Sequence, residues 1–249
     1  MANNIKALRN KYKNKRIFLI GNGPSLNKTP LDRLKGDYTI AMNRIALIYN
    51  KVNWRPSFFI CTTNNIYRKS WQKDILKTID LGITSFVWDK FKDIVGKRDN
   101  VYYINCTDGE NITGNPSDDW WSNDISKRVS KFGTSMLVAL QAASYMGFNP
   151  IYLLGCDLGY VDTKKNLSQK LFSIFATKYE PFSKDPNHFD SQYGTPGATA
   201  KTFALNMNAA HKLALRNTRK KGIKVYNATI RGNLEVYPRA NLQKVLANK

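Results

Sequence analysis

The residues of this 249-residue chain that are suited to chemistry follow directly after apolar runs. The run "RIFLIG" at 16–21 leads straight into Gly21-Asn22-Gly23-Pro24-Ser25. Glycine lets backbone N–H groups approach an anion closely, and a helix N-terminus adds about half a positive charge. The Asn22 and Ser25 side chains are long enough to reach a phosphate or a ribose. The stretch predicts nucleotide contact, with a merely tight connection as the alternative, although it matches neither the GxGxxG fingerprint nor the GxxxxGK[ST] P-loop.

Two further polar residues follow apolar runs in the same way. Asn43 comes after "YTIAM", and its amide offers both a donor and an acceptor to a base or ribose edge, with a helix cap as the alternative role. Asp157 comes after "IYLLG", in Gly155-Cys156-Asp157. At that position a carboxylate can bind ribose hydroxyls, coordinate a metal, act as a base or simply cap a turn.

Histidine is scarce, with only His188 and His211 in the chain. If the reaction needs a base that titrates near neutral pH, one of these two must supply it. His188 lies in the irregular stretch "DPNHFDSQYG", whereas His211 lies within the helical run "FALNMNAAHKLALRN" and is interpreted as a helix-face residue. His188 is therefore the candidate base, with an incidental loop histidine as the alternative.

Strand and helix patterns alternate along the chain. Strands are predicted at 16–21, 38–42, 57–61, 84–88, 101–105, 150–155 and 223–227, and helices at 30–35, 64–79, 133–147, 201–221 and 240–247. Several of these strands are continuously apolar, which is typical of strands buried on both faces of a mainly parallel sheet. The pattern predicts an α/β fold with a doubly wound sheet in a single domain over 1–249. The polar stretch 161–200 is predicted to form a lid at the carboxyl edge of the sheet, where such proteins bind ligands.

The cysteine content, the apolar runs and the net charge restrict the kinds of protein that this chain can be. Three scattered cysteines without a CxxC pair argue against a disulfide framework or a zinc site and favour the cytoplasm. No run approaches the ~20 apolar residues of a membrane span, and the basic N-terminus lacks the apolar core of a secretory signal. Thirty-nine Lys and Arg against eighteen Asp and Glu give a net charge of +21, which attracts nucleic acid, acidic lipid headgroups, anionic glycans or nucleotides. A merely basic surface is the alternative explanation.

The motifs taken in order resemble two related groups of proteins. "IFLIGNGPSL", Asn43, "GTSMLVALQAASYMGFNPIYLLGCDLGY" and the later "NHF" resemble the bacterial sialyltransferases of glycosyltransferase family 42. The second half, including "KKGIKVYNATIRGNLEVYPRANLQKVL", is similar to the DUF115 or MptE-like group. That group contains the central domain of motility-accessory flagellin glycosyltransferases and the archaeal 6-hydroxymethylpterin diphosphokinases.

The resemblance implies a Rossmann-like domain of a modified GT-A type that uses CMP-activated nonulosonic sugars without a metal or other cofactor. By motif, it assigns the nucleotide site to residues in the first turn, after the second strand, at the start of the long helix and in the late turn: Gly21, Asn22, Gly23, Pro24, Ser25, Asn43, Thr134, Ser135 and Asp157. His188 corresponds to the general base for the acceptor hydroxyl. Tyr160 takes the place of a tyrosine hydroxyl on the departing phosphate. The chain departs from the sialyltransferases in having Leu158-Gly159-Tyr160 where they carry an aromatic pair.

Three functions follow as hypotheses. The first is an inverting glycosyltransferase of cell-surface glycan biosynthesis, with a glycan or glycolipid acceptor, in the cytoplasm and at the inner face of an anionic membrane. The second is a diphosphokinase of a pterin-like alcohol, with Mg²⁺ held by Asp157 and Asp162. The third, from charge alone, is a nucleic-acid-binding protein, but no RNP motif, zinc knuckle or helix-turn-helix pattern supports it. Homo-oligomer formation is left open.

Overall fold

The apolar runs form a seven-stranded sheet in which every pairing is parallel. The computed structural model describes residues 4–108, 116–159, 185–194 and 200–247. The strands of the main sheet are β1 (Ile17–Ile20), β2 (Tyr38–Met42), β3 (Phe58–Cys61), β4 (Thr84–Trp88), β5 (Val101–Ile104), β8 (Ile151–Leu154) and β9 (Val225–Asn227). A second, two-stranded sheet pairs β6 (Cys106–Thr107) with β7 (Val129–Ser130).

The order of the main sheet is β5-β4-β3-β2-β1-β8-β9. The chain therefore builds outward from β1 to one edge and then returns to add β8 on the other side of β1. Strands β1 and β3 are buried along their whole length, as expected for a sheet covered on both faces. The predicted doubly wound α/β fold is confirmed.

In the described parts of the chain, four α-helices lie between strands of the main sheet, and a fifth follows its last strand in the chain. They are α1 (Lys69–Ile79), α2 (Lys92–Val95), α3 (Ser135–Met146), α4 (Ala200–Lys220) and α5 (Leu242–Ala247). Helix α3 is buried on every side, because it packs against β1, β2, β3 and α4. This environment explains why its sequence is apolar all round rather than amphipathic.

The predicted helix over 64–79 is divided in two. The Thr63 side chain accepts the N–H of Asn65 and caps a 3₁₀ turn at Asn64–Tyr67, and Arg68 then adopts an extended conformation before α1 begins. Most of the predicted lid at 161–200 lies outside the described residues, and within it the structure describes 185–194 and Ala200. Within the described parts of the chain, no helix is long and apolar enough to cross a membrane.

Candidate active site

The turns that follow β1 and β8 meet at the point where the strand order reverses. The N–H of Gly21 donates to the Leu154 carbonyl at 2.7 Å, and the N–H of Gly23 donates to the Gly155 carbonyl at 2.9 Å. A Cβ on Gly23 would stand 1.9 Å from Oδ2 of Asp157. Glycine is required here because the two turns touch, and the crevice beside them is where open α/β sheets bind ligands.

Asp157 is anchored between these turns by Ser25. Its carboxylate accepts the Ser25 hydroxyl at 2.7 Å and the Ser25 N–H at 3.2 Å. Burial raises the pKa of the Asp157 carboxyl above its ordinary value, and the two bonds from Ser25 act in the opposite direction. The Asp157 carbonyl in turn accepts the N–H of Asn233 at 2.6 Å, which ties this turn to the segment after β9.

These bonds change how the first turn can meet a ligand. The sequence predicts that backbone N–H groups of Gly21 to Ser25 cradle a phosphate. In the structure the N–H groups of Gly21, Gly23 and Ser25 all donate within the protein, and these three amides join the two turns. Pro24 is the first residue of a 3₁₀ helix over Pro24–Lys28, and its side chain is exposed to solvent.

Asn22 connects the first turn to the segment 185–194. Its side-chain Nδ2 donates to the Met42 carbonyl at 3.2 Å and to the Tyr193 hydroxyl at 3.0 Å. Its backbone carbonyl accepts the N–H of Phe189 at 3.0 Å. Its side-chain Oδ1 is buried and has no hydrogen-bond partner among the described residues, so one acceptor at this edge is unsatisfied.

His188 forms a dyad with Asp185 beside this turn. Nδ1 of His188 lies 2.8 Å from Oδ2 of Asp185, and the imidazole stacks on the Tyr193 ring with centroids 3.9 Å apart and planes 6° from parallel. An ionised carboxylate can only accept, so this contact makes Nδ1 the protonated nitrogen and leaves Nε2 as the acceptor. A histidine in this state, oriented by a buried carboxylate, is equipped to take a proton from a hydroxyl.

Arg44 holds the histidine segment in place, and the sequence analysis did not identify it. Its buried guanidinium donates to the carbonyls of Gln192 and Tyr193, the latter at 2.6 Å, and pairs with Asp74 of α1 at 2.6 Å. It also lies 5.3 Å above the Trp71 ring. Nothing in the local sequence around Arg44 or Asp185 marks these roles, apart from the three-residue spacing between Asp185 and His188.

Three hydroxyl and amide groups gather at the ends of β2 and β3. Asn43 adopts a left-handed conformation with φ 55°, which asparagine tolerates better than most residues. The Ser135 hydroxyl lies 3.4 Å from Oδ1 of Asn43 and 2.9 Å from the Thr62 hydroxyl. Asn43 and Ser135 are thus brought together, and Thr62 joins them.

Thr134 acts as the N-cap of α3. Its side chain accepts the N–H of Met136 at 3.2 Å. Phe132 and Gly133 both have positive φ just before it, at 42° and 75°, and turn the chain into the helix. The helix therefore presents its N-terminus, with Ser135 in its first turn, at the same edge as Asn43.

The other residues considered in the sequence analysis lie outside the described residues or away from this edge. Tyr160 and Asp162 lie outside the described residues. His211 lies on the buried face of α4, where its Nδ1 is 3.1 Å from the Tyr237 hydroxyl. Among the residues that the structure describes, no three His, Cys, Asp or Glu side chains converge as a metal-binding group.

A family model described as "6-hydroxymethylpterin diphosphokinase MptE-like" matches residues 1–163. The chain belongs to the MptE-like family. The predicted resemblance to the DUF115 or MptE-like group is thereby confirmed. No curated protein matches this sequence significantly.

Two solved structures of low sequence identity are similar to this MptE-like chain. The MAf glycosyltransferase from Magnetospirillum magneticum AMB-1 is 14% identical, with a TM-score of 0.52 over 96% of this chain. The chain spans 37% of that protein's length, and at this identity the likeness shows a common fold. The sialyltransferase CstII from Campylobacter jejuni, in complex with cytidine-5'-monophosphate, is 14% identical over 91% of this chain and 85% of its own, with a TM-score of 0.46.

Proposed function

We propose that the chain is a glycosyltransferase that moves a nonulosonic acid, sialic-acid-like or Kdo-like, from a CMP-activated donor to a hydroxyl acceptor. The observation that carries the proposal is the pair of His188 and Asp185 beside the turn of Asn22, at the switch point of the sheet. A carboxylate-oriented histidine at the crevice where α/β folds bind nucleotides supports hydroxyl activation next to a bound nucleotide.

The chemistry assigned to His188 is general base catalysis. Nε2 accepts the proton of the acceptor hydroxyl as its oxygen bonds to the anomeric carbon of the donor. The bond from that carbon to the CMP phosphate oxygen breaks, and the electron pair leaves with the phosphate. Asp185 stabilises the imidazolium that results. Attack from the side opposite the leaving group inverts the anomeric centre.

The donor nucleotide is assigned to the edge lined by Asn22, Asn43 and the N-terminus of α3. The unsatisfied Oδ1 of Asn22 offers an acceptor to a ribose hydroxyl or a base amine. The N-terminus of α3, with Thr134 and Ser135, offers a positive end for an anionic group. Because three amides of the first turn are already bonded, we assign the phosphate to this helix end and to the Tyr160 hydroxyl, with no metal ion needed for the leaving group.

The proposed partners follow from this reaction. The acceptor is a glycan or glycolipid, and the product belongs to cell-surface glycan biosynthesis. The proposed location is the cytoplasm, at the inner face of an anionic membrane.

A diphosphokinase is the second candidate, and the printed description of the family favours it. In that reaction His188 would activate the hydroxyl of a pterin-like alcohol, and the diphosphate would come from ATP with Mg²⁺. Asp157 would be a metal ligand, but its carboxylate already accepts two bonds from Ser25. The two candidates thus share a base and differ in nucleotide and metal.

A thermal-shift panel of CMP, CDP, UDP, GDP and ATP, each with and without Mg²⁺, separates them. The glycosyltransferase predicts stabilisation by CMP that does not depend on Mg²⁺, followed by transfer from a CMP-sugar. Stabilisation by ATP only when Mg²⁺ is present would replace it with the diphosphokinase. No response to any nucleotide would contradict both.

A further inference from the structure

The edge of the sheet opposite the candidate site carries a cluster of exposed cations. Because all seven strands are parallel, the segments that precede them share one edge. The segment before β1 and the segment before β9 supply Arg9, Lys11, Lys13, Lys15, Lys221 and Lys224, and all six are exposed. We call these six residues the basic edge.

Backbone hydrogen bonds bring the two halves of the basic edge together. Asn149 is the link: its N–H donates to the Lys15 carbonyl at 2.9 Å, and its side-chain Oδ1 accepts the N–H of Lys224 at 3.0 Å. The pKa of the Lys221 amine is lowered, mainly by partial burial and secondly by the positive charge of Arg9, which therefore lies close to it. Like charges are therefore held side by side rather than dispersed.

The segment before β1 is a fixed part of the fold rather than a loose tail. The N–H of Asn10 donates to the Tyr145 carbonyl at 3.0 Å, and that of Tyr12 donates to the Met146 carbonyl at 2.9 Å. The Tyr12 ring stacks on Phe148 with centroids 4.9 Å apart and planes 7° from parallel. The neighbouring Lys11 and Lys13 are consequently presented from a packed base.

Carboxylates along the same edge are mostly neutralised. Asp37 pairs with Arg16 at 2.7 Å, and Asp80 pairs with Arg98. Asp124 interacts electrostatically with Arg9, but no salt bridge within 4.0 Å joins any member of the basic edge to a carboxylate in the described parts of the chain. The basic edge therefore has a net positive field available to an anionic partner.

An apolar group extends this edge. Leu81 lies just before β4 and is 52% exposed. From β4 to β9 there are five strand spacings, or roughly 24 Å. A polynucleotide would use the charges, whereas a lipid surface offers both anionic headgroups for the cations and an apolar layer for Leu81.

We propose that the basic edge is a docking surface for a bilayer containing anionic phospholipid. Bound this way, the protein turns the opposite edge, with Asn22 and His188, away from the lipid headgroups. The inference rests on the charges and the topology and does not depend on which reaction the site performs.

The test compares two variants that each lose three positive charges. The first carries Lys11→Gln, Lys13→Gln and Lys224→Gln. The control carries Lys69→Gln, Lys73→Gln and Lys92→Gln, which are exposed lysines on α1 and α2 toward the carboxyl edge. Exposed substitutions of this kind leave stability nearly unchanged, which a melting curve of each variant checks.

Flotation with phosphatidylcholine vesicles, with and without phosphatidylserine, measures the partition. Each lysine near an anionic surface contributes about a factor of five, so the first variant is expected to lose on the order of 100-fold in partition to phosphatidylserine vesicles. The control is expected to stay within about twofold of the unaltered chain. Leu81→Gln is expected to lower vesicle partition without changing binding to a single-stranded oligonucleotide.

Several results would overturn the proposal. Equal losses in both triple variants would mean that only the overall net charge of the chain matters. Absence of phosphatidylserine-dependent binding by the unaltered chain would remove the surface altogether. Tighter binding to the oligonucleotide than to vesicles, lost with the same three lysines, would assign the basic edge to nucleic acid instead.

Discussion

The two histidines of this chain occupy two regions with opposite character. His188 lies at the carboxyl edge of the sheet, where Asp185 orients its ring and Tyr193 covers one face. His211 lies in the core under α4, with the Tyr237 hydroxyl as its side-chain partner and no carboxylate bonded to it among the described residues. Burial lowers the pKa of His211 from the ordinary 6.5 to about 4.

This contrast shows that the number of histidines says little until their surroundings are known. A buried imidazole without a negative partner is kept neutral by desolvation and contributes to packing. An imidazole oriented by a carboxylate has a defined tautomer and presents its other nitrogen as an acceptor. Only the first kind of environment is expected to govern stability, and only the second to govern catalysis.

Removing the imidazole of His188 is expected to have the largest effect on the transfer reaction. His188→Ala should lower transfer by about 10²- to 10⁴-fold, the usual contribution of a general base, because no other described group replaces Nε2. CMP affinity should be retained, since the nucleotide is assigned to other residues. Single-turnover transfer and CMP titration measure the two quantities. Unchanged turnover would remove His188 from the mechanism, and His211→Gln, which lies in the core, serves as the matched control.

Changing the orienting carboxylate should have the next largest effect. Asp185→Asn is expected to lower kcat on the order of 100-fold, because an amide no longer selects the tautomer with the proton on Nδ1 or stabilises the imidazolium. KM for the donor should change little. Steady-state kinetics test this split, and Asp185→Glu should restore part of kcat. A change in KM alone would indicate that Asp185 only shapes the segment.

The core histidine is expected to appear in the pH dependence of stability. Its folded-state pKa of about 4 lies below the ordinary 6.5, so the unfolded chain binds a proton that the folded chain does not. Its contribution is fully present above about pH 6.5 and is lost as pH falls toward about 4, by roughly 2–3 kcal/mol at about pH 4.5. Urea unfolding at about pH 7 and about pH 4.5 should show a smaller drop for His211→Gln than for the unaltered chain. Equal drops would mean that His211 titrates normally in the fold.

The smallest effect is expected at Thr134, where two variants distinguish a role in helix capping from contact with the donor. Thr134→Ala should lower the free energy of unfolding by about 1 kcal/mol through loss of the N-cap of α3. Thr134→Ser keeps the capping oxygen and should retain most of that stability. CMP titration of both variants asks whether Thr134 also touches the donor. A lost CMP affinity in Thr134→Ala that Thr134→Ser restores would add a binding role to the cap.

The residues at the carboxyl edge of the sheet were partly predictable, because the ends of apolar strands can be located in the sequence. The runs before Gly21 and Asn43 were continuous and apolar, so the residues after them had to lie at one edge of a parallel sheet. Ser135 was correctly placed at the start of α3, and the structure brings it to Asn43. The bond between Ser25 and Asp157 was not predictable, because it depends on β1 and β8 being neighbours although about 130 residues separate them.

The residues that support His188 were missed for the same reason. Arg44 and Asp74 lie far along the chain from the segment they hold, and an arginine after a strand is ordinary in a chain of this charge. The role given to the glycines also changed. Their spacing suggested a phosphate cradle, but the contact of Gly23 with Asp157 shows that they let two turns pack closely.

By itself the sequence determined the fold class and the edge on which polar residues would gather. It could do so because continuous apolar strands, helix caps and glycine turns are local patterns with few structural solutions. The tertiary structure alone decided which of these residues touch, which amides remain available to a ligand, and which histidine has a carboxylate partner. Those outcomes depend on packing and burial between residues that are far apart in the chain, and the distances between such residues do not follow from local sequence patterns.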